Sequence, residues 1–158
     1  MKTQRHEVGQ SLENLKEACR KAGVKCTYQR MEIYREVVNN PVHPDAETVF
    51  RNVRSRLANI SLDTVYRTLW LLRDLGLVIT LGAPYERTRF DANLSLHHHF
   101  ICTRCGRTID FYSKELDELK ISDHVRGLGQ VHVSQVIVHG VCIECAGGGK
   151  ETETHRKR

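Results

Sequence analysis

The sequence predicts an α+β fold in two parts: a helical half closed by a β-hairpin, then a small sheet-and-helix half stapled by a metal. Three observations carry this. Apolar residues recur at helical spacing as far as Leu75 and alternate like strands beyond it. Two C-x-x-C pairs, Cys102-Thr-Arg-Cys105 and Cys142-Ile-Glu-Cys145, bracket the second half. Charge and potential metal ligands are divided along the chain. Residues 1–91 carry 15 Lys+Arg against 11 Asp+Glu, whereas seven of the nine histidines and four of the six cysteines lie beyond residue 91.

The first helix is expected over residues 11–22, with Ser11 as N-cap and Gly23 as its stop. Leu12, Leu15, Ala18, Cys19 and Ala22 form its apolar stripe. Thr27 caps a second helix, with Ile33, Tyr34, Val37 and Val38 facing inward, which ends at Asn39-Asn40-Pro41. Asp45 caps a third, with Ala46, Val49, Phe50, Val53 and Leu57 apolar. Ser61 caps a fourth over residues 62–75, closed by Gly76. Residues 77–81 then read as a strand, Gly82-Ala83-Pro84 as a turn and residues 85–91 as the return strand. Short helices followed by one hairpin are the elements of a winged helix. The fourth helix, with Asp63, Thr64, Tyr66 and Arg67 near its start, would be the recognition helix for double-stranded DNA. The same residues also suit the solvated face of an ordinary amphipathic helix. The basic excess of the first half and a sequence pI near 9.0 favour an anionic partner only weakly.

Residues 92–95 form a short polar hinge. Beyond it, residues 96–101, 108–111 and 131–139 read as strands, and residues 113–125 as a helix. The expected organisation is therefore a winged-helix domain over 1–91, the hinge over 92–95 and a small α/β domain over 96–146. A disordered, glycine-rich and charged tail is expected over 147–158. No apolar run approaches the roughly 20 residues of a membrane span, and no secretory signal leads the chain, so a cytoplasmic protein is expected.

Two thiolates three residues apart on a tight turn can hold one metal. Two such turns complete a tetrahedral S4 site for a structural Zn2+ on Cys102, Cys105, Cys142 and Cys145, with no position left open for chemistry. The 36 residues between Cys105 and Cys142 exceed a short zinc ribbon and must hold secondary structure. Redox dithiols are the competing reading, but no thioredoxin-like βαβ unit flanks the pairs. Cys19 and Cys26 lack this spacing and read as core or near-surface thiols.

A second site is written around His97-His98-His99. Alternate strand residues share a face, so His97 and His99 form a half-site while His98 points away. Asp110 has the same potential on the neighbouring strand. Asp91 ends the basic half, and His43 sits in the rigid loop Pro41-Val42-His43-Pro44-Asp45. Three imidazoles and two carboxylates suit Fe2+, Mn2+ or Zn2+. His98, His124, His132 and His139 have no partner visible in the sequence. A zinc hydrolase or deaminase is disfavoured, because neither H-E-x-x-H nor His-x-Glu followed by Pro-Cys-x-x-Cys occurs. A purely structural zinc module would leave the five His and Asp residues without a role.

Taken in order, these motifs resemble the ferric uptake regulator family over roughly residues 12–145. The resemblance runs through Thr27-Tyr28-Gln29-Arg30, His43-Pro44 and Thr64-Val65-Tyr66-Arg67-Thr68-Leu69. It continues through Arg89-Phe90-Asp91, His97-His98-His99-Phe100-Ile101-Cys102 and both cysteine pairs. It implies a winged-helix DNA-binding domain and a C-terminal dimerisation domain in a homodimer that binds operator DNA through residues such as Tyr66, Arg67, Thr64 and Arg30. It also implies a structural Zn2+ and a regulatory Fe2+ or Mn2+ at the hinge. The pattern is most similar to the peroxide-sensing branch, whose three histidines and two aspartates match His43, Asp91, His97, His99 and Asp110. In that branch no reaction is catalysed: peroxide oxidises a ligand histidine, matching His43 or His97, and repression is lifted. Iron-sensing relatives often carry Glu at position 110 and a further His where Ser134 stands. Tyr28 replaces the usual Pro, and Arg67 is more similar to the iron-sensing branch. The alternative is an iron-, zinc- or manganese-sensing repressor of metal-uptake genes.

Overall fold

A computed structural model describes residues 2–82, 87–132 and 134–147. The chain divides into two compact units, 1–94 and 95–158. The first holds helices α1 (Lys2–Lys21), α2 (Tyr28–Val38), α3 (Ala46–Arg54) and α4 (Leu62–Asp74), then strands β1 (Ile79–Leu81) and β2 (Arg89–Asp91). β1 and β2 pair antiparallel, with Ile79 opposite Asp91, and make the wing of a winged helix. The expected turn at 82–84 and the start of the return strand fall partly outside the described residues, as does most of the expected tail.

Local chemistry sets the helix ends. Thr27, Asp45 and Ser61 each accept a backbone N–H three residues on, at 3.4, 2.8 and 3.1 Å. Gly23 and Gly76 close α1 and α4 at φ 67° and 69°, a conformation glycine adopts at little cost. One expectation is corrected. Ser11 is not an N-cap, because α1 begins at Lys2 and runs through it. Nothing in residues 2–10 breaks a helix except Gly9, and one glycine is tolerated. The Ser11 hydroxyl instead meets the Tyr34 phenol.

The core of the first unit is Leu15, Ile33, Val49, Val53, Val65, Leu69, Leu72 and Phe90, all essentially inaccessible, with Cys19 among them and Cys26 packed at its edge. A carboxylate is buried beside it. Glu32 is buried and paired with Arg35 of its own helix and with Arg56, 3.1 Å away and 24 residues on.

Asp45 also anchors the wing. Its carboxylate caps α3 and meets Arg87 at 3.4 Å. Burial alone would raise its pKa, but the Thr48 hydroxyl and N–H and the Arg87 guanidinium together hold it below the usual carboxylate range. A depressed carboxylate contributes stability above its ordinary pKa and loses it as pH falls through the folded value. Asp45→Ala should therefore cost about 1 kcal/mol at neutral pH, shrinking in acid. Urea unfolding at pH 7 and pH 3 measures both.

The second unit holds β3 (His98–Cys102), β4 (Thr108–Phe111), α5 (Lys114–Asp117), α6 (Asp123–Leu128), β5 (Ile137–Gly140) and α7 (Ile143–Ala146). Its sheet has the order β4-β3-β5, with β3 antiparallel to β4 and parallel to β5. The single helix expected over 113–125 is two. Glu118 ends the first, and Ser122 starts another by accepting Val125 N–H at 3.5 Å. The strand expected over 131–139 is confined to Ile137–Gly140. Among the described residues, the buried side chains of this unit are Cys102, Cys142, His97, His98, His99 and Thr108. No large apolar side chain is among them.

Candidate metal centres and recognition helix

β3 ends in Cys102, and the chain turns at once. Cys102 and Arg107 pair back, with Cys102 N–H donating to Arg107 O at 2.9 Å. Gly106, at φ 68°, supplies the left-handed residue this knuckle requires. The parallel pairing sets Cys102 opposite Gly140, delivering the second knuckle to the first. Gly140 must stay small, since a Cβ there would stand 2.9 Å from the Phe100 ring. Cys142 then starts α7, which carries Cys145.

The four sulfurs lie within 4.8 Å of one another. A tetrahedral zinc with Zn–S of about 2.3 Å separates its sulfurs by about 3.8 Å, and Cys105 Sγ to Cys142 Sγ is 3.9 Å. The donor set therefore fits Zn2+. Cys142 N–H donates to Cys102 Sγ at 3.3 Å. Backbone N–H groups of Cys142 and Cys105 draw the Cys102 thiol down to about 6. The Cys142 thiol, burial and the other two cysteines push Cys145 up to about 12. Four thiols this close cannot all ionise without a cation among them. Arg107 grips Glu144 at 2.5 and 2.6 Å, and Arg104 donates to Cys145 O at 2.9 Å, bracing the two knuckles.

The histidines and aspartates form a half-site in each unit. In the second, register sets His99 opposite Asp110. His97 Nδ1 lies 2.7 Å from Ser95 O, so it carries the proton and leaves Nε2 with the lone pair that can bind a metal. His97 Nε2 and His99 Nε2 are 2.9 Å apart, with Asp110 Oδ1 at 3.7 and 3.5 Å from them. Two nitrogens at right angles about a metal, each at about 2.1 Å, stand about 3.0 Å apart. This trio fits a transition metal.

In the first unit, His43 adopts φ 53°, rare for a residue with a side chain. The loop is welded to β2: Arg89 donates to His43 O at 3.1 Å, and Phe90 N–H donates to Pro44 O at 3.0 Å. Asp91 follows in the same strand. One of its oxygens accepts Asn93 N–H at 2.7 Å, and the other faces His43 Nε2 at 3.5 Å. Both side chains are buried.

On α4, Tyr66 is exposed and Arg67 more so, with the Asp63 carboxylate 3.8 Å from the Arg67 guanidinium. A cleft of about 390 Å³ is lined by Thr27, Gln29, Arg30, Thr64 and Arg67 among others. Thr64 is half-buried and its hydroxyl meets Ser61 at 2.8 Å, so it helps cap the helix. Arg30 is anchored to Lys25 O.

Two residues escaped the sequence reading. His98, assigned no partner, is fully buried between Asp117 and Val136. The alternation showed only that it points away from His97, and Asp117 lies too far along the chain to be inferred. Glu32 gave no signal, because Arg56 is equally remote. His124, His132 and His139 are exposed.

Residues 21–138 match the ferric uptake regulator family. The peroxide operon regulator of Bacillus subtilis is 37% identical over 142 residues, covering 89% of this chain and 94% of that protein. The peroxide-responsive repressor PerR of Staphylococcus epidermidis is 36% identical over 141 residues, covering 89% and 91%. Among solved structures, the Helicobacter pylori ferric uptake regulator shares the fold at TM-score 0.74, with 23% identity over 90% of this chain and 96% of that one. A zinc-bound manganese uptake regulator matches at TM-score 0.65 and 30% identity, over 82% and 99%.

Proposed function

The chain belongs to the ferric uptake regulator family, and we propose that it is a homodimeric, metal-dependent repressor of the peroxide-sensing kind. It acts by binding operator DNA in the cytoplasm rather than by turning over a substrate. The observation that carries the reading is the His97–His99–Asp110 trio, with ring nitrogens at ligand spacing, in a chain that also bears an exposed recognition helix. The His43–Asp91 pair completes the set of five residues, three histidines and two aspartates, that the family resemblance implies. The second unit also exposes Val125, Leu128, Val131, Ile137 and Val138. Exposed apolar residues of this kind favour burial against a second copy.

The two recognition helices of a dimer must meet half-sites about 34–36 Å apart. Ligands drawn from both units favour the arrangement in which those units meet, and by linkage they favour DNA binding if that arrangement sets the helix spacing. A coupling of about 1–3 kcal/mol makes this a 5- to 150-fold change in DNA affinity. Held by these five residues, Fe2+ would supply the electron that cleaves hydrogen peroxide, so that one oxygen could add to a neighbouring imidazole while the other leaves as water; Mn2+ would not readily do so. Oxidation of His43 or His97 removes a ligand, loosens the units and releases the operator. The second reading, a sensor of iron, zinc or manganese, shares every step except the response to peroxide.

Metal-titrated DNA binding tests the proposal: Mn2+ should raise operator affinity with the structural zinc already in place. Arg67 supplies a separate check. If its guanidinium reads a guanine, Arg67→Ala should weaken operator binding by about 1–3 kcal/mol and relax specificity at one base. Fluorescence anisotropy with single-base operator variants measures this. Wild-type affinity in the mutant would remove Arg67 from the interface.

A further inference from the structure

One imidazole joins three elements of the second unit. His98 Nδ1 accepts Val136 N–H at 3.3 Å. A backbone amide can only donate, so the ring proton sits on Nε2, which lies 3.1 Å from Asp117 Oδ1 on α5. Val136 O in turn accepts His99 N–H at 3.1 Å, and the parallel pairing of β3 with β5 begins at His99 opposite Ile137. The Phe111 ring of β4 packs against His98, with centroids 5.5 Å apart. The ring therefore ties the start of β3 to α5 and to the segment leading into β5.

That position matters because His98 stands between the two ligand histidines. His97 precedes β3, and the named strand starts only at His98. The ends of a strand have few ladder bonds and open first. Without the His98 ring, His97 and His99 would hang from a fraying strand end. With it, the backbone between them is fixed and their nitrogens are preset at 2.9 Å on the opposite face. α5 gains as well, since it buries no residue of its own.

We propose that His98 and Asp117 are a positioning pair for the regulatory metal site, holding the His97–His99 segment in its ligating geometry. The proposal rests on the reading of His97 and His99 as ligands. Partners outside the ligand set typically tune metal affinity 10- to 100-fold, so loss of this pair should weaken Mn2+ binding by about 10-fold or more while leaving the cysteine site loaded.

The experiment titrates Mn2+ into full-length, zinc-replete protein and reads free Mn2+ by electron paramagnetic resonance, beside zinc content and the melting midpoint. Asp117→Ala should weaken Mn2+ binding by about 10-fold with zinc retained. Asp117→Asn, whose amide oxygen still accepts from Nε2, should recover most of the affinity. His98→Asn keeps an acceptor for Val136 but cannot reach Asp117, and gives a second route should Asp117→Ala fold poorly. The double variant should be no worse than the poorer single one, as for a pair that acts as a unit. A merely structural role would lower the melting midpoint and leave Mn2+ affinity in place. Wild-type Mn2+ affinity in Asp117→Ala, with affinity lost in a His97→Ala control, overturns the positioning pair. Wild-type affinity in His97→Ala as well overturns the ligand reading beneath it.

Discussion

His97→Ala or His99→Ala is expected to abolish metal-activated DNA binding. Each change deletes one of two ring nitrogens that face each other at 2.9 Å beside Asp110. Losing a direct ligand should weaken the metal by more than the 10- to 100-fold typical of an outer-shell partner. The whole metal-linked gain in operator affinity, about 5- to 150-fold, should go with it. His43→Ala should do the same from the other unit, more than fifty residues away. Structural zinc should persist in all three, because its thiolates are separate groups. His98→Ala should differ. It leaves Val136 N–H and Asp117 without their ring partner, so it should lower the stability of the second unit and weaken the metal without removing a ligand. Operator binding against Mn2+ concentration, with zinc analysis of each variant, separates these outcomes. Full metal activation in His97→Ala would remove it from the site.

Cys105→Ser should unfold the second unit and spare the first. Among the described residues, the buried side chains of the second unit are cysteines, histidines and Thr108, so little apolar burial remains once the metal is lost. Structural zinc contributes about 10–16 kcal/mol in small zinc-binding peptides, as much as the whole stability of a typical domain at about 5–15 kcal/mol. The first unit has its own core, from Leu15 to Phe90. The variant should lose about one zinc per chain and its dimeric state, while circular dichroism keeps most of the signal of α1 to α4. Light scattering and metal analysis check it. A folded dimer without zinc would show that the second unit stands on contacts other than its thiolates.

Much of this was legible because the signals were local. Thr27, Asp45 and Ser61 cap helices through their own next turn, and Gly23 and Gly76 end helices through their own φ angle. The C-x-x-C spacing is a property of one turn, and alternation alone puts His97 and His99 on one face. What stayed hidden depended on distant residues. Arg56 meets Glu32 across 24 positions, and Asp117 meets His98 across 19. The long N-terminal extension of α1 was missed because Ser11 offered a cap that the helix does not use. The strand expected over 131–139 was cut short for a similar reason. Its apolar residues suit a strand, but only Ile137–Gly140 find a partner, in β3.

The most direct test of metal-dependent, peroxide-responsive repression compares Fe2+- and Mn2+-loaded protein on operator DNA, before and after hydrogen peroxide. Mass spectrometry of the histidine peptides is read alongside DNA affinity. Both loaded forms should bind tightly at first. Peroxide should release only the iron form, in step with addition of one oxygen to His43 or His97, while the manganese form stays bound and unmodified. Equal oxidation with both metals, or release from iron-loaded protein with neither histidine modified, would contradict the account.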